Sequence, residues 1–590
     1  MCVCIDLINM AKEDHTMMFG FCEALLYDEC DSDEENDPLP TTCEGSDTEQ
    51  EISDDEVPTA PESETKHAFY MGKDGTSKWH ATPIQSQATQ KPDTPIQSHA
   101  KPYAQKARTE LECWNLFFTN EMIEEILHHT NVEINSRTYP DADPTCKPFN
   151  SNTRAHIVKE TNKDELLALF GLIYISGLNN STGYNLTDLW RSDGTGVDIF
   201  RMSMSIQRFN FLQSSLRFDD ASTREARNKL DNIAPVRSIF NKFTKNCKAA
   251  YSPGQFLTID QKYVPFRGVC PFRQLMPLTS SGYGIKMFAL VDAKVFYTVD
   301  LEIYAGDQPD GPYDISNDPA DVVERLVESV SKTNRNVTFD NWFTTFPLVQ
   351  HLLEEHGLTC VGALTKSKTG IPNSFLKVRG RPVYSARFGF QRDMTVVSYV
   401  SKKSKIMLLV SSYHHDNAMD HKCVEKPKPD MVTFYNSTKS AVQIVDKLSK
   451  MYDVRNYCRR WPIIILYTMM NIAALNGFII YRENINCIKK ERRCEFIRQL
   501  GLSLLQPHLK LRKDKNNLPR ELRKRIFEQM GESFHDAPVN PSDPKPYKRC
   551  RDCPSSRDRK TKYTCLECRK PICLQHVISM CQSCVSETID

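Results

Sequence analysis

FLTIDQKYVPFRGVCPFRQLMP, residues 256–277, is the stretch that decides the reading of this chain. Phe256, Leu257 and Ile259 are apolar company for one acid, Asp260, so the segment reads as a strand with a carboxylate near its end. Eighty residues on, NVTFDNWF places Asp340 behind Val337, Thr338 and Phe339 in the same way. Two apolar strands that each deliver an Asp to one sheet edge make a site for a hard divalent cation. Mg²⁺ takes oxygen ligands, usually a carboxylate or two plus substrate phosphates. A pair of such ions can flank the attacking and leaving oxygens of a phosphodiester. The structural alternative stays open, because Asp before Asn or Gln often starts a turn.

Outward from the Asp260 strand, residues 256 to about 365 alternate between strand and helix patterns. GIKMFALVDAKVFYTVDLEIYAG supplies two strands and ADVVERLVESVSK an amphipathic helix; another helix opens at Pro347, and LTCVGALT is a further buried strand. This order predicts a mixed sheet flanked by helices. Residues 372–430 are rich in β signals and read as an inserted β subdomain. Upstream, residues 109–255 are helical, with helices expected over 120–130, 163–178, 205–220 and from Pro235 to Tyr251. Downstream, a helix is expected over 437–453. The uncharged run IIILYTMMNIAALNGFII, residues 463–480, is long enough to span a bilayer. Asn471, Asn476 and Gly477 inside it and the RNYCRRWP flank favour a buried core helix, so no membrane partner is expected.

The formal net charge is zero but unevenly spread: residues 1–65 hold twenty acids against Lys12, leaving −19 there and +19 in the rest. A basic body suits a polyanion partner; the plainer account of the acidic arm is solubility. Residues 1–108, acidic and then Gln/Thr/Pro-rich with TPIQS at 82–86 and 94–98, read as disordered. Residues 487–527 carry thirteen Lys/Arg against four acids, a phosphate-seeking surface. The opening MCVCIDLINMAKEDH lacks the pattern of a secretory signal, which predicts a reducing, intracellular setting. Basic residues around Lys548, Arg549 and Arg551 point to the nucleus.

The tail carries the densest metal-ligand pattern: Cys550-x2-Cys553, Cys565-x2-Cys568, Cys573-x2-His576 and Cys581-x2-Cys584. Both members of such a pair can reach one tetrahedral zinc, so eight ligands mean two structural ions. Four pairs this close usually interleave, first with third and second with fourth, and tie together a segment too short for a core. The spacing does not say whether this module contacts DNA, a histone tail or a protein.

Taken together, TID…VPFRG…CPFRQLMP…YGIKMFALVDA, VTFDNWFTTFPL, MVTFYNSTKSAV…D, RRWPIIILYTMMNIAALNGFIIY and the cysteine tail resemble the piggyBac transposase family over roughly 109–586. The resemblance implies an RNase H-like α/β core (256–449) split by an insertion (about 372–430). Around it would lie helical DNA-binding and dimerisation segments (109–255 and 450–535), followed by a zinc-bound tail (548–586) that reads transposon ends. It also implies Mg²⁺-dependent cutting and pasting of double-stranded DNA at TTAA through hairpin ends, by a homodimer. Asp260 and Asp340 match the first two catalytic acids. The family's K-G-G-V-D-x-x-D is here Lys439-Ser440-Ala441-Val442-Gln443-Ile444-Val445-Asp446, so Gln443 stands at the third acid position and Asp446 matches the acid after it. Arg267, Arg273, Lys286, Arg459 and Arg460 are the expected DNA contacts, whereas Val269, Thr279 and Gly282 replace basic residues of the family. Three functions follow as expectations. The first is a transposase-derived DNA-binding protein with impaired catalysis. The second is a working recombinase completed by Asp446, and the third a chromatin or protein adaptor built on the zinc module.

Overall fold

The computed structural model describes residues 49–51, 69–84, 95–138, 157–180, 185–276, 282–420, 426–455, 458–485, 492–515, 518–534, 547–565 and 570–577. They fall into two units, Met1–Leu518 and Pro519–Asp590.

The first unit is built on a mixed sheet. Strand β1 (Phe256–Pro265) pairs antiparallel with β2 (Gly282–Asp292), and β2 with β3 (Thr298–Ile303). On its other side β1 pairs in parallel with β4 (Asn336–Phe339), and β4 in parallel with β5 (Thr359–Ala363). The order β3-β2-β1-β4-β5 is RNase H-like. All four residues of β4 are buried, as are Leu257, Thr258 and Ile259 of β1. Central strands covered on both faces lose the alternation of a half-exposed sheet, which is why the sequence reads as apolar runs.

The β-rich insertion is not set apart as a subdomain with its own sheet. Its strands β6 (Ala386–Phe390), β7 (Thr395–Lys402) and β8 (Lys405–Ser411) extend the core sheet, β8 lying antiparallel against β5 with Val361 opposite Ser411. An uncovered β5 would present a row of unpaired backbone groups, and β8 removes that edge.

The expectation of disorder throughout 1–108 needs correction. Phe69–Met71 and Lys78–His80 form a hairpin whose His80 pairs with Phe390 of β6. Trp79 is fully enclosed, packs on Phe346 and donates from Nε1 to the Gly370 carbonyl at 2.8 Å. His99–Ala100 pairs with Tyr251–Ser252, and the Asn484 amide donates to the carbonyls of Ala104 and Ala107. Glu49–Glu51 lies antiparallel to the start of β8. Composition correctly denies this segment a core of its own, but a few anchors suffice where another element supplies the core. Of residues 1–108, those outside 49–51, 69–84 and 95–108 lie outside the described residues.

Within the first unit the two helical stretches pack together. Helix Lys163–Asn180 crosses helix Arg493–Lys513 at Gly171 and Gly501, where a Cβ on Gly171 would sit 2.7 Å from the Gly501 carbonyl oxygen. Trp114 Nε1 donates to Tyr174 Oη, which donates to the Met470 carbonyl, both at 2.8 Å. Helix Trp461–Asn484 has the length and apolarity of a membrane span but is buried in protein. Its Asn476 reaches across to the sheet. The side chain accepts from Thr298 N at 3.0 Å and donates to Thr298 O at 2.9 Å, satisfying backbone on the outer strand β3. The single helix expected over 437–453 is two, Asp430–Thr438 and Ala441–Met451, broken at Lys439–Ser440.

The second unit contains helix Arg520–Gln529, the short pairing of Lys548–Arg549 with Lys560–Thr561, and a cysteine cluster.

Candidate active site and metal centres

The parallel register that sets Phe339 beside Ile259 makes Asp340 and Asp260 the next residues along neighbouring strands. Burial, and then the charge of Asp340, push the Asp260 carboxyl up to about 7, with Asp446 adding to the rise and the Gln261 amide and Gln443 opposing it. Asp260 accepts from Gln261 N on Oδ1 at 2.6 Å and from Gln443 Nε2 on Oδ2 at 3.4 Å. Asp340 also starts a turn, as the structural alternative required: its Oδ1 accepts from Trp342 N at 3.0 Å and its carbonyl from Thr344 Oγ1 at 2.7 Å. The two readings of Asp340 are compatible, since the turn holds the carboxylate in place.

Alternate residues of a strand share a face, and three on β1 grip the helices that follow the insertion. Thr258 Oγ1 donates to the Thr438 carbonyl at 2.7 Å, Asp260 receives the Gln443 amide, and Lys262 Nζ is paired with Asp446. From β4, the Thr338 hydroxyl lies 2.8 Å from that of Thr438. Thr438 Oγ1 also bonds the Phe434 carbonyl at 3.1 Å, so its proton is committed there and Thr338 is the donor between the two. This threonine clasp ties both Asp strands to the turn at the helix break. It also puts Asp446 one rung below Asp260, roughly 7 Å along the strand between alternate residues. For Asp446 to replace Gln443, the helix would have to slide by about 4.5 Å, three residues of rise. That slide breaks the Lys262 pair and the clasp.

Lys262 and the three threonines were missed at the level of sequence. The i, i+2, i+4 pattern Thr258, Asp260, Lys262 was the available signal; the partners across the sheet had none.

The family model described as Transposase IS4 matches residues 109–478. A cryo-EM structure of piggyBac transposase, in a synaptic complex with hairpin DNA, is similar at 33% sequence identity with a TM-score of 0.70, covering 82% of this chain and 99% of that one. The chain belongs to the piggyBac-type transposase IS4 family.

In this family member the residues expected to contact DNA divide into two groups. Arg267, Arg273 and Arg459 are exposed. Arg273 donates to the Gly268 carbonyl at 3.0 Å and stacks 4.3 Å over Tyr283, so its loop is braced. Lys286 is half-buried in a ring cage, its Nζ 4.1 Å from the Trp342 centroid, 4.9 Å from Phe288 and 5.3 Å from Tyr304. Burial lowers its pKa and Asp340 partly restores it. Trp342 is half-exposed and stacks on Phe288 at 5.3 Å. Arg460 is half-exposed and donates to the Ser214 and Leu216 carbonyls at 2.8 and 2.7 Å, closing the end of helix Ile206–Ser215. Val269 is 91% exposed, leaving an apolar side chain at the surface where the family has a basic one. Thr279 lies outside the described residues.

In the second unit Cys550, Cys553, Cys573 and His576 converge, the first ligand pair with the third. Cys553 and Cys573 sulfurs are 3.7 Å apart, and His576 Nδ1 is 3.6, 3.6 and 3.4 Å from the sulfurs of Cys550, Cys553 and Cys573. Tetrahedral zinc at its usual bond lengths requires about 3.8 Å between sulfurs and about 3.6 Å from sulfur to nitrogen. The set therefore has the composition and spacing for zinc. Cys565 is described without its partner ligands; Cys568, Cys581 and Cys584 lie outside the described residues.

Proposed function

We propose that this protein is a transposase-derived nuclear DNA-binding protein that recognises transposon-end-like DNA and in which cut-and-paste activity is impaired. The observation that carries the reading is the amide of Gln443 on Asp260 while Asp446 is held by Lys262. Asp260 and Asp340 would hold Mg²⁺, and their mutual repulsion is what a dication relieves. Bound there, the ion would activate water and stabilise the leaving 3′ oxygen. Gln443 offers a neutral oxygen and no charge, so the site lacks one of its three anions. Arg267, Arg273 and Arg459 would touch phosphates, each lost contact flattening the salt dependence by about 0.9 in log slope. A homodimer and two structural zinc ions, the second held by Cys565, Cys568, Cys581 and Cys584, complete the proposal.

One observation favours an active recombinase instead: the charge of Asp446 still reaches Asp260. The deciding experiment gives the full chain Mg²⁺ or Mn²⁺ and a hairpin-end oligonucleotide ending at TTAA. Binding without nicking, with nicking gained in Gln443→Asp, is the expected outcome. Wild-type nicking that disappears in Asp260→Ala would overturn the impaired reading, and no binding of end DNA even at low salt would overturn both.

A further inference from the structure

In the first unit, helix Pro319–Val327, helix Phe346–Glu354 and the turn just after the latter bring together three side chains that take no part in the acid site: Glu324, His351 and His356. Both imidazole Nε2 atoms face the same carboxylate oxygen, at 3.5 Å for His351 and 3.8 Å for His356. All three donor atoms lie within 4.8 Å of one another. Those separations are long for direct hydrogen bonds. They approach the roughly 3.4 Å between nitrogen and oxygen ligands around a tetrahedral ion with bonds of about 2.05 Å. A small inward rotation of the exposed Glu324 and His351 side chains closes the difference.

Two further contacts aim His356 at the carboxylate. Its Nδ1 is 3.1 Å from Ser331 Oγ, which leaves Nε2 turned to Glu324. Its carbonyl accepts from Lys332 N, and the chain then turns through Gly357 at φ +58°. A histidine whose second nitrogen is hydrogen-bonded, so that its first is aimed, is how metal-ligating imidazoles are oriented. Two imidazoles and one carboxylate suit borderline divalent ions, zinc above all, and leave a position for water.

We infer that Glu324, His351 and His356 form a zinc-class metal site that clamps these two helices. It is independent of both the acid pair and the cysteine tail. The helix that supplies His351 begins six residues after Asp340, so the clamp would brace the far end of the element that follows the Asp340 turn.

The test is a Co²⁺ titration of the full chain in excess Mg²⁺, which keeps the acid pair occupied, followed by absorbance. Thiolate ligands in the tail give strong near-ultraviolet charge-transfer bands; a site of two imidazoles and a carboxylate gives only weak visible bands. The expected result is one further equivalent taken up after the thiolate bands saturate, displaced by Zn²⁺ and lost in the double variant H351Q/H356Q. Ser331→Ala should retain the site with affinity weakened by about 10-fold or more. The single variant His351→Gln, at an exposed position, covers the case in which the double variant fails to fold. Uptake by wild type equal to that of H351Q, with no equivalent beyond the thiolate bands, would overturn the proposal.

Discussion

The threonine clasp predicts a measurable coupling between β4 and the helix break. Thr338 is 0% and Thr438 3% exposed, and the hydroxyl–hydroxyl distance is 2.8 Å. Thr438→Val keeps the shape but strands the Thr338 hydroxyl in a dry site, a cost of about 1–3 kcal/mol. Thr338→Val removes the donor alone, leaving Thr438 its bond to Phe434, and should cost about 1 kcal/mol. In the double variant no hydroxyl is left without a partner. Its cost should fall short of the sum of the singles by about 1 kcal/mol, a factor of roughly five in the unfolding constant. Urea midpoints of the four proteins, read by far-ultraviolet circular dichroism at constant slope, measure this directly. Additivity within about 0.3 kcal/mol would refute the clasp and with it the account of why residue 443, and not 446, meets Asp260.

Further predictions concern single residues elsewhere in the two units. Glu165 and Arg208 form a buried pair at 2.6 Å, and Arg208 also donates to the carbonyls of Ile157, Lys159 and Glu160. Burial pushes the Glu165 carboxyl up, but the bonds and charge of Arg208 outweigh it and hold the pKa below its ordinary value. A depressed folded pKa stabilises above the unfolded value of about 4.3 and is lost as pH falls through the folded one. Glu165→Gln should therefore lose about 3–5 kcal/mol at pH 7, with a flatter decline in melting temperature below about pH 4.3 than wild type. Trp79→Ala should detach the hairpin of residues 69–80, costing about 3–5 kcal/mol locally, seen as rapid tryptic cleavage at Lys73 and Lys78. Trp79→Phe loses chiefly the Gly370 bond, about 1 kcal/mol, and should remain protected. Cys573→Ser should lower the zinc content of the full chain by one ion, measured by atomic absorption, and loosen residues 547–577 in hydrogen exchange while leaving the β1 amides protected.

The family, the two acid strands, the substitution at position 443 and the ligand spacing of the tail were legible in the sequence by itself. Each is a local pattern: an apolar run ending in Asp, an ordered motif, a two-residue gap between soft ligands. The order of the core strands followed from the resemblance. What only the tertiary structure decided are the contacts made across the sheet. Arg460 and Lys286 were both expected DNA contacts; the first also holds two helix carbonyls and the second sits among three rings. Asn476, which argued against a membrane span, satisfies backbone 178 residues away. The polar arm gained order at Trp79 because the groove that receives it belongs to other segments. Asp446 lies three positions from Gln443 in the chain, yet its partner was set by the register of the helix on β1. A residue's type limits the bonds it can make; which bond it makes depends on what a distant strand presents at that height.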